Sequence, residues 1–159
     1  MEITLSQKER MLLEDQKKHE EACILKYSNY ANQTNDNQLK QIFNANEQGE
    51  REHLNSINQL LSGKIPQMNQ QQGQSSGQGM RSITNMNNTQ ASGVNLSDAD
   101  MCTDLLMTEK FVSGAYNTTI FEFRDPQARD VLNHIQKEEQ KHGEAIFQYM
   151  ESNGMYNVQ

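Results

Sequence analysis

The chain has 159 residues, a net charge of -7 and only 34% apolar residues, with a mean hydropathy of -0.91. That length suits one domain with a real core, whose connector and outer helix faces must then be very polar. The acidic balance, with no basic patch, excludes nucleic acid as a main partner, and no apolar run approaches the roughly 20 residues of a membrane span.

The N-terminus begins Met1-Glu2-Ile3-Thr4 and then turns charged. This is not a signal peptide, and synthesis in the cytoplasm is expected. Ser6-Gln7-Lys8-Glu9 is a capping box with Leu5 as its hydrophobic staple, so helix 1 starts at Ser6 and runs to about Asn32. Asn35-Asp36-Asn37 supplies a turn and the cap of helix 2, which continues to Ser62 before Gly63 stops it. The segment 63–95 is rich in Gln, Asn, Gly and Ser and lacks periodicity. It reads as a flexible linker, or as a crossover that lets a second hairpin start at the same end as the first. Leu96-Ser97-Asp98 opens helix 3, which ends near Arg124. Asp125-Pro126 caps helix 4, which runs to about Glu151 and stops at Asn153-Gly154.

The helices carry a repeat. Glu50 and His53 form a Glu-x-x-His pair, and Glu139 and His142 form another 89 residues later. The same offset relates Glu20 to Glu109 and Tyr27 to Tyr116. The expected fold is all-α: a four-helix bundle of two repeated helical hairpins, 6–62 and 96–152, joined by a long crossover connector and followed by a short tail. The whole chain, 1–159, is one domain.

The repeated polar residues occupy core positions. Helix 2 presents Leu39, Phe43, Asn46, Glu50, His53, Ile57 and Leu60 on one face; helix 4 presents Ala128, Leu132, Ile135, Glu139, His142, Ile146 and Tyr149. Helix 3 aligns Leu105, Glu109, Val112, Tyr116 and Phe123, and helix 1 aligns Gln16, Glu20, Cys23 and Tyr27 less cleanly. A lone Glu-x-x-His is commonly an ion pair on a solvated face, but these pairs belong to apolar stripes. Four carboxylates would share one interior with no Lys or Arg among the inward slots, and buried unpaired charge is costly. Two divalent cations supply four positive charges and remove the conflict. Glu20, Glu50, His53, Glu109, Glu139 and His142 are therefore the candidate metal ligands. Iron is the first expectation for the two ions; manganese and zinc accept the same oxygen and nitrogen donors.

Other residues read as follows. Glu21 and Glu138 adjoin the chosen glutamates and substitute for them if a helix rotates. Glu47 lies one turn before Glu50 and is a further carboxylate candidate. Tyr27 and Tyr116 are core aromatics, or redox phenols beside the metals. His19 and His134 are off the stripe and read as partly exposed. Cys23 and Cys102 form no C-x-x-C and read as buried thiols. Met101 and Met107 read as packing residues, and Met68, Met80 and Met86 as parts of the connector.

The Glu, Glu-x-x-His, Glu, Glu-x-x-His order resembles the ferritin-like superfamily, including rubrerythrins and other di-iron carboxylate proteins. The stretch from Asp104-Leu105-Leu106-Met107-Thr108-Glu109-Lys110 to Glu138-Glu139-Gln140-Lys141-His142-Gly143 is similar to the spore coat protein F family of spore-forming Firmicutes. The resemblance implies a ferritin-like bundle made in the mother-cell cytoplasm and placed in the spore coat among other coat proteins. A homo-oligomer is left open. The family carries no settled enzymatic activity. The chain departs from rubrerythrin in lacking a C-x-x-C electron-transfer domain, and no fifth helix follows helix 4. Three functions compete: a coat structural or assembly protein with a di-metal site, a di-metal oxidoreductase acting on peroxide, oxygen or ferrous iron, and a metal-free packing module.

Overall fold

A computed structural model of the chain describes residues 1–67 and 96–158. The flexible-linker reading, with Met68, Met80 and Met86, lies outside the described residues. Four helices form: α1 (Gln7–Gln33), α2 (Asn37–Leu61), α3 (Asp98–Glu122) and α4 (Pro126–Ser152). The architecture is all-α. Local chemistry sets the ends. The Ser6 hydroxyl accepts from the Glu9 backbone N–H while the Glu9 carboxylate accepts from Ser6 N–H. Asp36 caps α2 through the N–H groups of Gln38 and Leu39, and Asp125 caps α4 through those of Gln127 and Ala128, with Pro126 leading the helix. Gly63 and Gly154 take positive φ just past α2 and α4, the conformation that ends a helix at least cost to glycine.

Each helix packs on two others: α1 on α2 and α3, α4 on α3 and α2. Across the α1–α3 seam, Lys26 pairs with Asp104 at 3.0 Å and Lys8 with Glu122 at 2.8 Å. Later residues of α1 thus meet earlier residues of α3, and the two helices run antiparallel. Tyr149, near the end of α4, donates to Asp36, at the start of α2, so that pair is antiparallel as well.

This order corrects one expectation. Helix α3 does not begin at the end where α1 begins; it begins beside the α1–α2 turn, where Leu96–Asp98 lie against Gln33 and Asn35. Helix α2 ends at the opposite end of the bundle, beside the N-terminus. Ile3 N–H donates to the Gly63 carbonyl at 2.8 Å and Ile65 N–H to the Met1 carbonyl at 3.1 Å. The chain therefore leaves α2 at one end and enters α3 at the other, about 38 Å away for a 25-residue helix. Gly63–Ile65, read from sequence as the start of the connector, is tied to Met1–Ile3 by this short pairing. A Cβ on Gly63 would stand 2.9 Å from the Ile3 carbonyl oxygen.

Two apolar layers result. Leu39, Phe43, Met101, Leu105, Ile146 and Met150 fill the end near the α1–α2 turn; Leu13, Ile57, Leu60, Phe123, Leu132 and Ile135 fill the other. The glutamates, histidines and tyrosines lie between them. Met107 is a correction: it is 65% exposed on α3, with Phe111 and Phe121 also exposed, and packs no core. No described helix is long and apolar enough to cross a membrane.

Candidate metal centre

All six candidate ligands are buried and meet at the bundle centre. Glu20 comes from α1, Glu50 and His53 from α2, Glu109 from α3, and Glu139 and His142 from α4. The i, i+3 spacing of each Glu-x-x-His places both side chains on one helix face. Two overlapping groups form. In one, Glu20, Glu50, His53 and Glu139 each offer a donor atom, all within 4.8 Å of one another; in the other, Glu50, Glu109, Glu139 and His142 do the same. Glu50 and Glu139 belong to both groups and stand between them.

The imidazoles aim Nδ1 into the cluster. His53 Nδ1 lies 3.1 Å from Glu50, 3.5 Å from Glu139 and 3.7 Å from Glu20. His142 Nδ1 lies 3.3 Å from Glu139, 3.4 Å from Glu50 and 3.6 Å from Glu109. The two rings stack with centroids 5.5 Å apart. Close approach at Gly49 makes room for His142: a Cβ there would meet its Nε2 at 2.5 Å.

Each tyrosine supports a glutamate of the opposite hairpin. Tyr27 donates to Glu109, and Tyr116 donates to Glu20. Burial and the nearby carboxylate charges raise both phenols well above their ordinary range, so they stay protonated donors. Asn46 Nδ2 adds a bond to the Tyr27 hydroxyl at 3.2 Å and one to the His142 carbonyl at 3.4 Å.

The protein groups alone leave the cluster electrostatically strained. Burial pushes Glu50 well up and Glu139 up to about 7. Burial acts the same way on Glu20, but the neighbouring His53 and Glu50 side chains outweigh it and lower that carboxyl. Burial would neutralise the imidazoles, yet the surrounding carboxylates raise His53 to about 12 and His142 to about 11. Hydrogen bonding is incomplete. Among the described residues, the buried side-chain polar atoms without a partner are Oε2 of Glu20, Oε1 of Glu50, Oε2 of Glu109, both carboxylate oxygens of Glu139, and Nδ1 of His142. An unsatisfied buried group costs ~1–3 kcal/mol, so a ligand that supplied the missing partners would stabilise the centre. The donor set, carboxylate oxygens with one imidazole per group, fits a divalent cation of the iron, manganese or zinc type.

The other candidates fall away from this centre. Glu21 is exposed. Glu138 pairs with Lys141 at 2.8 Å, and Glu47 with Arg51 at 2.7 Å; each carboxylate is engaged on the outer surface, which leaves neither for the interior. His134 is exposed, and half-buried His19 packs edge-on against Phe111. Cys23 and Cys102 are free and buried; burial pushes both thiols up, Cys102 to about 12. Sequence reasoning missed Gly49 and the support from Asn46. A glycine inside a helix was the available signal, since it marks a close approach.

The family model of the Coat F domain matches residues 97–159, which hold α3, α4 and the tail. The second hairpin is thus similar to that domain, and the first hairpin lies outside the match. No curated protein and no solved structure matches the chain.

Proposed function

We propose that the chain is a ferritin-like bundle of two related hairpins that holds two divalent metal ions and serves as a structural component of the spore coat. The observation that carries the metal reading is the location of the unpartnered buried polar atoms: all six belong to Glu20, Glu50, Glu109, Glu139 and His142. With His53, these residues would hold the ions: Glu20 and His53 on one, Glu109 and His142 on the other, Glu50 and Glu139 shared. Iron is the first choice, and manganese or zinc suits the same donors. The Coat F match supports a place in the coat among other coat proteins.

The tyrosines favour a second reading, a di-metal oxidoreductase. When bound, a redox-active metal pair supplies electron transfer and polarises oxygen ligands. The chain's own part is to fix the carboxylates and keep water out. Tyr27 and Tyr116 each occupy one oxygen of Glu109 and Glu20, and the second oxygen of each glutamate has no hydrogen-bond partner.

Elemental analysis after iron or manganese loading tests the first reading. Wild type should retain about two ions per chain, and His53→Ala with His142→Ala should lower the content. Unchanged content in the double variant overturns the ligand assignment. Peroxide consumption by the loaded protein separates the enzyme from the structural protein.

A further inference from the structure

The four helices share their exposed apolar side chains unevenly. Among the described residues of the helices, each large exposed one lies on α1 or α3: Met11 and Leu25 on α1, and Met107, Phe111 and Phe121 on α3. The three on α3 are 65%, 66% and 82% exposed. With Gly114 and Thr118, also exposed, they follow one another in steps of four and three. That is the spacing of a helix face that packs on another helix. Helix α3 thus carries two such faces. One, with Leu105, Glu109, Val112 and Tyr116, is buried in the bundle; the other faces outward.

The outward face is nearly symmetric along its length. Met107 and Phe121 stand seven residues to either side of Gly114, and Phe111 and Thr118 stand three and four residues from it. Turned end for end, the face presents much the same pattern, with a large apolar side chain two turns out on each side and none at the centre. A Cβ on Gly114 would meet nothing within 4 Å. The described packing of the chain therefore does not call for glycine there, although glycine weakens a helix interior relative to alanine. A second helix crossing at that point does call for it, because a bare backbone lets two helix axes approach closely. None of the five stripe residues is charged, and the charges at the ends of α3 favour an antiparallel partner. Asp98 and Asp100 open the helix, while at its last turn Glu122 is paired with Lys8 and Arg124 follows. Antiparallel pairing sets the acidic start of one helix toward the Arg124 end of the other. Parallel pairing would set Asp98 and Asp100 against their own copies.

We infer that the outward face of α3 docks a second copy of this chain, the two α3 helices crossing antiparallel at Gly114. A two-fold axis there gives a closed, self-complementary contact in which each pairing occurs twice. Met107 of each copy meets Phe121 of the other, and Phe111 lies beside Thr118, so the three large apolar side chains of each copy leave water together. The surface lies outside the buried centre and docks whether or not that centre holds metal.

Sedimentation equilibrium of the full chain over a concentration series tests this. Wild type should approach the mass of two chains. Met107→Lys and Phe121→Glu change exposed side chains, so each variant should keep wild-type helicity by circular dichroism and raise the dimer dissociation constant by roughly tenfold or more. The double variant should recover much of the dimer, because the new cation of one copy then faces the new anion of the other. Gly114→Cys reads the crossing point directly. A disulfide needs Cα atoms within about 7 Å, and Cys23 and Cys102 are buried. Oxidised glutathione should therefore link Gly114→Cys chains in pairs and leave Asn117→Cys chains largely single. A wild type that stays monomeric overturns the second copy as the occupant, whichever other segment or protein covers the stripe. Undiminished dimer in both single variants overturns α3 as the surface. A monomeric double variant, or equal crosslinking at 114 and 117, overturns the antiparallel register.

Discussion

Tyr27 on α1 donates its hydroxyl hydrogen bond to Glu109 on α3. The residues 89 positions later make the exchanged bond, from Tyr116 on α3 to Glu20 on α1. In both helices the tyrosine follows the glutamate by seven residues, two turns, so antiparallel packing brings each phenol to the carboxylate of the other helix. The crossed pair fixes the register of α1 on α3. It also uses one oxygen of each carboxylate and leaves the second without a hydrogen-bond partner.

Removing either phenol should therefore destabilise the apo protein, and unequally. Tyr116→Phe strands one oxygen of Glu20. Tyr27→Phe strands one of Glu109 and also deprives Asn46 of an acceptor. Each stranded group costs ~1–3 kcal/mol. Urea midpoints should fall in the order wild type, Tyr116→Phe, Tyr27→Phe; equal midpoints for all three would show that the phenols do not support the carboxylates.

Helix α2 was legible in the sequence to the last inward residue, and α4 but for Val131 and Met150, which are buried as well. All seven stripe positions of each are buried, because their apolar residues recur in steps of four and three on one side only. Helices α1 and α3 were read less completely. Glu9, Leu13 and Ala31 on α1, and Leu106 and Thr119 on α3, are buried beyond the expected set. Met11, Leu25, Met107, Phe111 and Phe121 add apolar side chains on the exposed sides of the same helices, so periodicity there points to no single face. The six ligand candidates were legible because repeat and stripe agree. The direction of the second hairpin was not, since short turns define each hairpin and a long connector permits either order. The Gly49–His142 contact was not legible either, because it depends on the register of α2 against α4.

Metal loading should stabilise the fold. A ligand that binds only the native state at a hundredfold over its Kd adds about 2.7 kcal/mol, and here it also relieves the unpartnered atoms of the centre. Calorimetry should show Tm rising on loading with iron, manganese or zinc and falling on chelation. An apo protein that melts with the loaded one would mean that the centre holds no metal in the native state.

Glu9 predicts a distinct acid transition. The Arg124 guanidinium lowers its carboxyl from 4.5 to about 2, against the opposing effect of burial. Arg124 Nη2 lies 2.9 Å from Glu9, and Arg124 also donates to the Thr4 carbonyl, so the pair joins the start of α1 to the α3–α4 turn. A depressed folded-state value means that the stabilisation is complete above pH 4.5 and is lost as pH falls through 2. Arg124→Ala should be less stable than wild type at neutral pH, with the gap closing between those limits. Denaturant unfolding at stepped pH measures this, and a gap unchanged down to pH 2 would assign the loss to something other than the ion pair.

Gly49→Ala separates local helix preference from the geometry of the centre. In an ordinary helix interior this change stabilises by ~1 kcal/mol. Here the added Cβ would meet His142 Nε2 at 2.5 Å and Cε1 at 2.9 Å. The ring cannot retreat freely, because its Nδ1 already faces Glu50, Glu109 and Glu139 within 3.6 Å. The variant should therefore lose stability rather than gain it. Its metal content should fall toward one ion, since only the group containing His142 is disturbed and the group containing His53 is left whole. Melting and elemental analysis of the same preparation give both readouts. A Gly49→Ala protein that is more stable than wild type and fully loaded would show that the ring accommodates the methyl group and that His142 is not confined as the structure places it.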